Sequence, residues 1–282
     1  IIMMTVFLYI LNILFSAGQS TLGKLSAAKN GNAGVFNINK ALSGLLMFLL
    51  FGLKAGLNFN FPTLIYGILY GAFLCISMYT GFKALKTGPI MLTGITVSFS
   101  LIIPFIFGIF VWKEKITAFG IAGIIALLIS VFLINFVKGK AERVSSEWVF
   151  YAFLTLISNG VCSVIQKYHQ LRFPGRYKNE FMIYALLLTA IINISVFALK
   201  SEKSRLTFSA EGAASGIMNG LANYMILLLA ATEKASVLFP VTSGGNLIAV
   251  CLIGSIIFKE HPGKLRFAGI CLGIAAIVLL NI

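Results

Sequence analysis

Long apolar runs alternate with short polar connectors along the whole chain. A helix needs about 20 mostly apolar residues to cross a bilayer core. Runs of that length predict ten spans, near 3–25, 33–53, 61–83, 89–111, 116–137, 147–169, 179–199, 210–231, 235–257 and 264–281. Charges gather in the connectors: Lys54 to Asn60, Lys113 to Lys115, Lys138 to Glu147, Arg172 to Glu180, and Lys200 to Arg205. The second span is the most polar at its start, where Asn37, Asn39 and Lys40 fall. Only helices or closed barrels satisfy backbone groups in lipid, and the runs lack the alternation of barrel strands. The expected fold class is therefore an all-α membrane protein with ten transmembrane helices.

The hydrophilic stretch Lys138-Gly-Lys-Ala-Glu-Arg-Val-Ser-Ser-Glu147 divides the chain almost in half and prompts a search for a repeat. A shift of 146 positions pairs Lys113-Glu114 with Lys259-Glu260, Ala122-Gly123-Ile124 with Ala268-Gly269-Ile270, Leu133 with Leu279 and Asn135 with Asn281. A shift of 142 pairs Tyr9, Leu14, Ser16 and Gly18 with Tyr151, Leu156, Ser158 and Gly160. The expected organisation is a first five-helix repeat over 1–138, a linker at 139–146 and a second repeat over 147–282. Five spans is an odd number, so the second copy crosses the membrane in the opposite sense. That is the inverted-repeat plan of many secondary transporters.

The chain resembles the drug/metabolite transporter superfamily, in its ten-helix EamA-like branch. The resemblance rests on Tyr79-Thr-Gly-Phe-Lys-Ala-Leu85, on Pro104 through Trp112-Lys-Glu114, and on the Gly123 and Gly269 blocks. Ala231-Thr-Glu-Lys-Ala-Ser-Val-Leu-Phe-Pro240 and Phe258-Lys-Glu260 repeat the pattern in the second half. It implies two inverted five-helix repeats, in which the first four helices of each surround a central cavity and the fifth packs peripherally. These motifs identify the superfamily better than any substrate.

Composition narrows the function classes. Apolar residues make up 59% and charged residues 11% of 282, with a mean hydropathy of +0.98, against roughly 25% charged in soluble chains. All eight acidic residues are Glu. The absence of Asp excludes Asp-based metal loops, aspartyl-phosphate chemistry and Asp dyads. The net charge of +14 is spread in short basic runs between spans, which suits anionic head groups rather than nucleic acid. Cys75, Cys162, Cys251 and Cys271 lie in apolar segments without metal-ligand spacing, and His169 and His261 are expected in connectors. No phosphate-binding glycine loop and no nucleophilic triad can be assembled. Neither a cofactor, a metal nor an enzyme activity is expected.

Candidate substrate contacts come from polar residues at membrane depth. The fourth span carries Pro89, Gly94, Pro104 and Gly108, and the ninth carries Pro240, Gly244, Gly245 and Gly254. Proline and paired glycines tolerate a helix break, so both are expected to be discontinuous, with Thr242, Ser243 and Asn246 as contacts. On the first span Ser16, Gln19 and Gly23 share one helical face. Ser158, Asn159, Ser163 and Gln166 occupy the corresponding region of the sixth. Asn219, Asn223 and Tyr224 of the eighth span, with Tyr79 of the third, complete the expected wall. Lys24, Lys40 and Lys83 lie at or just inside span ends, where they attract an anionic or zwitterionic substrate or snorkel to head groups. No Glu falls near mid-span; Glu114 and Glu260 are expected to cap or pair locally and fix a turn. Trp112 and Trp148 are the candidate interfacial anchors.

The expected function is a multi-pass carrier of the cell (inner) membrane that moves a small polar metabolite, an amino acid or similar zwitterion, by alternating access. The alternatives are an organic-anion or sugar-phosphate carrier and a flippase for a lipid-linked substrate. Expected partners are the small-molecule substrate and the lipid bilayer, with the chain a monomer or homodimer. Eight of 22 basic residues fall on the side of the termini, which by the positive-inside rule places the termini outside. The family plan places them in the cytoplasm, and the lysines expected in the cavity favour that plan.

Overall fold

In the computed structural model, which describes residues 2–29, 32–87, 96–135, 145–199, 207–257 and 263–280, every regular element is helical. The described residues form α1 (Ile2–Ala28), α2 (Ala33–Ala55), α3 (Phe61–Thr87), α4 (Ile102–Phe110), α5 (Ala118–Asn135), α6 (Ser146–Arg172), α7 (Lys178–Leu199), α8 (Ala210–Ala230), α9 (Ala235–Ile257) and α10 (Lys264–Leu280). A 3-10 turn at Phe99–Leu101 leads into α4. Among the described residues, seven helices (α1 to α3 and α6 to α9) are long and apolar enough to cross a membrane. Three shorter apolar helices, Thr96–Phe110, Ala118–Ile134 and Phe267–Leu280, occupy the fourth, fifth and tenth expected spans. Pro89, Gly94, Glu260, His261 and most of the 139–146 linker lie outside the described residues.

The helices present apolar stripes outward. Met3, Phe7, Ile10 and Leu14 on α1 are exposed, as are Ile121, Ile125, Ile129 and Phe132 on α5. Spacings of three and four place each set on one face. Stripes of this extent mark a lipid-facing or partner-facing surface.

The chain forms two compact units, one of Ile1–Cys75 with Ile165–Thr232, the other of Ile76–Val164 with Glu233–Ile282. Each unit draws on both halves of the sequence, and α3 and α6 contribute to both.

In the first unit α8 packs against α1 and α2, and α2 also packs against α7. The side of α8 facing α2 is built from Gly212, Gly216 and Gly220. A Cβ added at Gly212 would come within 2.8 Å of the Phe36 carbonyl oxygen, and one at Gly220 within 2.6 Å of Met47 Cε. At Gly216 it would collide with the Lys40 carbonyl and the Ser43 hydroxyl. Small residues at this spacing let membrane helices approach backbone to backbone, where dispersion contacts are densest. On α3, Gly71 meets α7 in the same way, 2.7 Å separating its added Cβ from the Ala185 carbonyl oxygen. Asn32 caps α2, accepting from the Gly34 and Val35 amides at 2.8 and 3.2 Å, which lets a helix begin beside its polar first turns.

In the second unit α5 and α10 cross antiparallel. A Cβ at Gly123 would lie 3.0 Å from the Leu280 amide nitrogen, and one at Gly269 would lie 2.9 Å from that of Ile134. Residues 123 and 269, like 134 and 280, are 146 positions apart. The two contacts thus pair the same two positions of the 146-residue shift, with the helices exchanged. Ser130 Oγ donates to the Gly269 carbonyl at 2.7 Å within the same seam.

Three expectations are corrected here. α9 is an unbroken helix through Pro240 and the Gly244-Gly245 pair. Pro240 lies in its second turn, where it frees the carbonyl of Ser236, and Gly244 serves instead to admit Leu127 of α5. Trp148 is buried against Ala84 and Ala152 rather than placed as an interfacial anchor. His169 lies within α6, which runs three residues past the expected span end.

Glu114, expected to fix a turn, caps a helix remote in sequence. Its carboxylate accepts from the amides of Ala235 at 2.7 Å and Ser236 at 2.9 Å, at the start of α9. Negative charge at a helix N-terminus satisfies orphan donors and meets the positive end of the dipole.

Gly216→Ala is expected to destabilise the protein by about 1–3 kcal/mol through overpacking. Gly263→Ala, with nothing within 4 Å of the added Cβ, should stay within about 0.5 kcal/mol. Unfolding midpoints in detergent check both. Glu114→Ala should cost about 0.5–2 kcal/mol as a lost cap, read in the same assay.

Candidate functional site

The first unit contains a connected set of polar side chains organised by α8. Glu211, Ser215, Asn219 and Asn223 recur every four residues. At 3.6 residues per turn such positions drift by about 40° per step and rise about 6 Å. The stripe therefore begins on the side facing α1 and ends, about 18 Å further along, on the side facing α6 and α3.

Each rung has a partner. Lys29, at the end of α1, pairs with Glu211 at 2.7 Å. Ser215 Oγ donates to the Gln19 carbonyl at 3.3 Å, and Asn219 Nδ2 donates to Gln19 Oε1 at 2.8 Å. Asn223 is the hub: its Oδ1 accepts from Gln166 Nε2 at 2.7 Å and from the Tyr70 hydroxyl at 3.2 Å. Its Nδ2 donates to the Asn219 carbonyl at 2.9 Å. Beside the ladder, Asn12 Nδ2 donates to the Ala222 carbonyl at 2.8 Å, while the Asn12 Oδ1 is buried with no hydrogen-bond partner. Gln166, Asn223 and Tyr70 are buried, whereas Gln19 and Asn219 are half-buried. The ladder is thus closed at its deep end and open in its middle.

Of the residues expected to contact substrate, Gln19 and Asn223 are brought together here. Ser16 lies one turn before Gln19, half-buried, its carbonyl accepting from Ser20 Oγ at 2.9 Å. Tyr224 turns away from its neighbour Asn223, its ring lying between Phe48 at 6.4 Å and Phe51 at 5.7 Å. Lys40 is half-buried on the turn of α2 that meets Gly216. The Lys24 side chain lies outside the described residues.

The remaining expected contacts fall in the second unit. Asn159 Oδ1 accepts from Ser77 Oγ at 2.7 Å, and Ser163 Oγ donates to the Asn159 carbonyl at 3.3 Å. One turn away the Thr80 and Thr155 hydroxyls meet at 2.8 Å. Tyr79, on the opposite side of α3, is 50% exposed. Lys83 is half-buried, its carbonyl accepting from Thr87 Oγ1 at 3.0 Å. Thr242 is buried and donates back to the Leu238 carbonyl at 2.9 Å, the local bond that threonine makes within helices. Ser243 is exposed. Asn246 is half-buried, with its Oδ1 lacking a hydrogen-bond partner.

A second polar cluster of the first unit surrounds the end of α6. His169 is fully buried, stacked on Phe181 at 4.6 Å. Gln170 Nε2 lies 2.9 Å from His169 Nδ1 and Thr63 Oγ1 3.2 Å from Nε2. With the amide donating to Nδ1, the neutral ring carries its proton on Nε2. Gln170 Oε1 accepts from the Gly175 amide at 3.1 Å, and buried Glu180 accepts from the Asn58 amide at 2.9 Å. Lys167 Nζ donates to the Ala230 carbonyl at 2.9 Å, at the negative end of α8. These bonds tie helix ends and connectors together, a role the sequence signalled only by placing polar residues beside a span end.

No family model and no curated protein matches the chain by sequence. Among solved structures, one described only as a crystal structure of a protein superposes with a TM-score of 0.82 at 17% identity, covering 98% of this chain and 95% of that one. This likeness establishes the fold over essentially the whole length.

Asn223→Leu leaves Gln166 and Tyr70 without a shared acceptor inside the bundle. It is expected to lower stability by about 1–3 kcal/mol. Tyr224→Phe, which keeps the ring contacts, should be neutral; thermal unfolding in detergent compares the two.

Proposed function

We propose that the chain is a multi-pass secondary transporter of the cell membrane that carries a small polar metabolite, an amino acid or similar zwitterion, by alternating access. The observation that carries this reading is the α8 ladder, in which amides from α1, α6 and α8 and a phenol from α3 converge at membrane depth. Amides offer two donors and an acceptor each, a set suited to binding a polar solute without a metal or cofactor. Hydrogen bonds between membrane helices are worth on the order of 1 kcal/mol, so exchanging one for a substrate contact is an energetically small step.

In this reading the ten apolar helices are ten spans arranged as two inverted five-helix repeats, as in the EamA-like branch of the drug/metabolite transporters. The α5–α10 seam supports it, because a shift of 146 residues exchanges its two sides and the helices cross antiparallel. The chain acts as a carrier, not as an enzyme, with its termini in the cytoplasm.

In proteoliposomes, Gln19→Ala is expected to reduce uptake at least about tenfold, equivalent to about 1.4 kcal/mol, with the protein still folded. Thr21→Val, a buried hydroxyl on the same helix that bonds the Ala17 carbonyl, should leave uptake unchanged. Thermal stabilisation across soluble metabolites identifies the ligand. Stabilisation by lipid phosphates alone would overturn the reading in favour of a flippase. A cysteine introduced into 138–147 should label from outside in intact cells if the termini are cytoplasmic.

A further inference from the structure

Lys40 is a cation about two turns inside a helix long and apolar enough to cross a membrane. It lies seven residues beyond Ala33, the start of α2, which is about 10 Å along the axis. A charge at that depth is costly unless it meets a partner or a wet path. Among the described residues the Lys40 ammonium makes no hydrogen bond and no ion pair. The carboxylate at the entry of α8, Glu211, is already engaged by Lys29 at 2.7 Å.

The position of Lys40 is set by backbone packing. Its carbonyl lies against Gly216 of α8, while Ser215, the preceding residue, bonds Gln19 on α1. Lys40 and Gln19 thus flank one turn of α8 from its two sides, with Asn219 a turn further on. Both Lys40 and Gln19 are half-buried, and so is Asn219. A lysine borne on the turn of α2 against Gly216 and two amides within about one turn of it along α8, with Glu211 already paired, make an arrangement suited to an oxyanion.

We propose that Lys40, Gln19 and Asn219 form a carboxylate subsite at the open middle of the α8 ladder. The substrate then places its carboxylate toward Lys40 and hydrogen-bonds its remaining polar groups along the ladder toward Asn223. The inference rests on the transporter reading and narrows it to solutes that carry a carboxylate, zwitterionic amino acids included. The glycine at 216 is part of this subsite, because a side chain there would push α2 and its lysine outward.

Matched probes test it: L-serine and L-glutamine against their carboxamides and methyl esters, and glycerol 3-phosphate as a phosphate counterpart. Binding is measured by calorimetry and thermal shift on purified protein in detergent. At least one carboxylate should bind about tenfold or more tightly than its amide. Lys40→Gln should abolish that preference and Lys40→Arg should retain it. Lys54→Gln, which removes an exposed cation from the far end of the same helix, should keep it. Equal binding of a carboxylate and its amide, or discrimination that survives Lys40→Gln in folded protein, would overturn the subsite while leaving the carrier reading standing. Tighter binding of the phosphate than of every carboxylate would also overturn it, in favour of an organic-phosphate carrier. If no probe binds wild-type protein, both the subsite and the amino-acid reading fail.

Discussion

Inside a membrane every polar group must find its partner within the protein, and α8 is where this chain meets that constraint most fully. One side of the helix is glycine and admits α2 at backbone distance. An adjacent side carries Glu211, Ser215, Asn219 and Asn223, each bonded to another helix. The slow angular drift of a four-residue spacing lets a single stripe serve α1 first and then α6 and α3. Close packing and polar satisfaction are thereby assigned to different sides of one element, and neither compromises the other.

The ends of the first unit obey the same constraint with different groups. Lys167 completes the carbonyl end of α8, and Gln170 and Glu180 bind connector amides. In the second unit Glu114 does this for the start of α9. The Gln170 bond is local, whereas those of Lys167, Glu180 and Glu114 join segments far apart in sequence. Gln19 and Asn219 bond each other as well, but both are half-buried, so their polar atoms stay within reach of a solute.

Helix positions were legible in the sequence because lipid imposes a length, and that length is written in unbroken apolar runs. The ends of α2, α7, α8 and α9 agree with the runs to within two residues. Gln19 and Asn223 were also legible, as amides where an apolar residue would be expected. Their partners were not: Tyr70 reads as one more aromatic in a Tyr-rich helix, and only tertiary packing aims it at Asn223. Tyr224 was drawn in by its neighbour, yet adjacent helical residues point about 100° apart, and its ring belongs to α2. The bond that Thr242 makes to the Leu238 carbonyl was not legible either, since its polar run gives no sign of which hydroxyls turn back on the preceding turn. Pro240 suggested a break. A proline so near a helix start displaces few backbone bonds, so α9 continues past it.

The seam between α5 and α10 is self-complementary: each helix offers a glycine where the other brings the end of its own last turn. The same property couples their sequences. A larger side chain at 123 demands room near 280, and one at 269 demands it near 134, so α5 and α10 are constrained as a pair rather than singly.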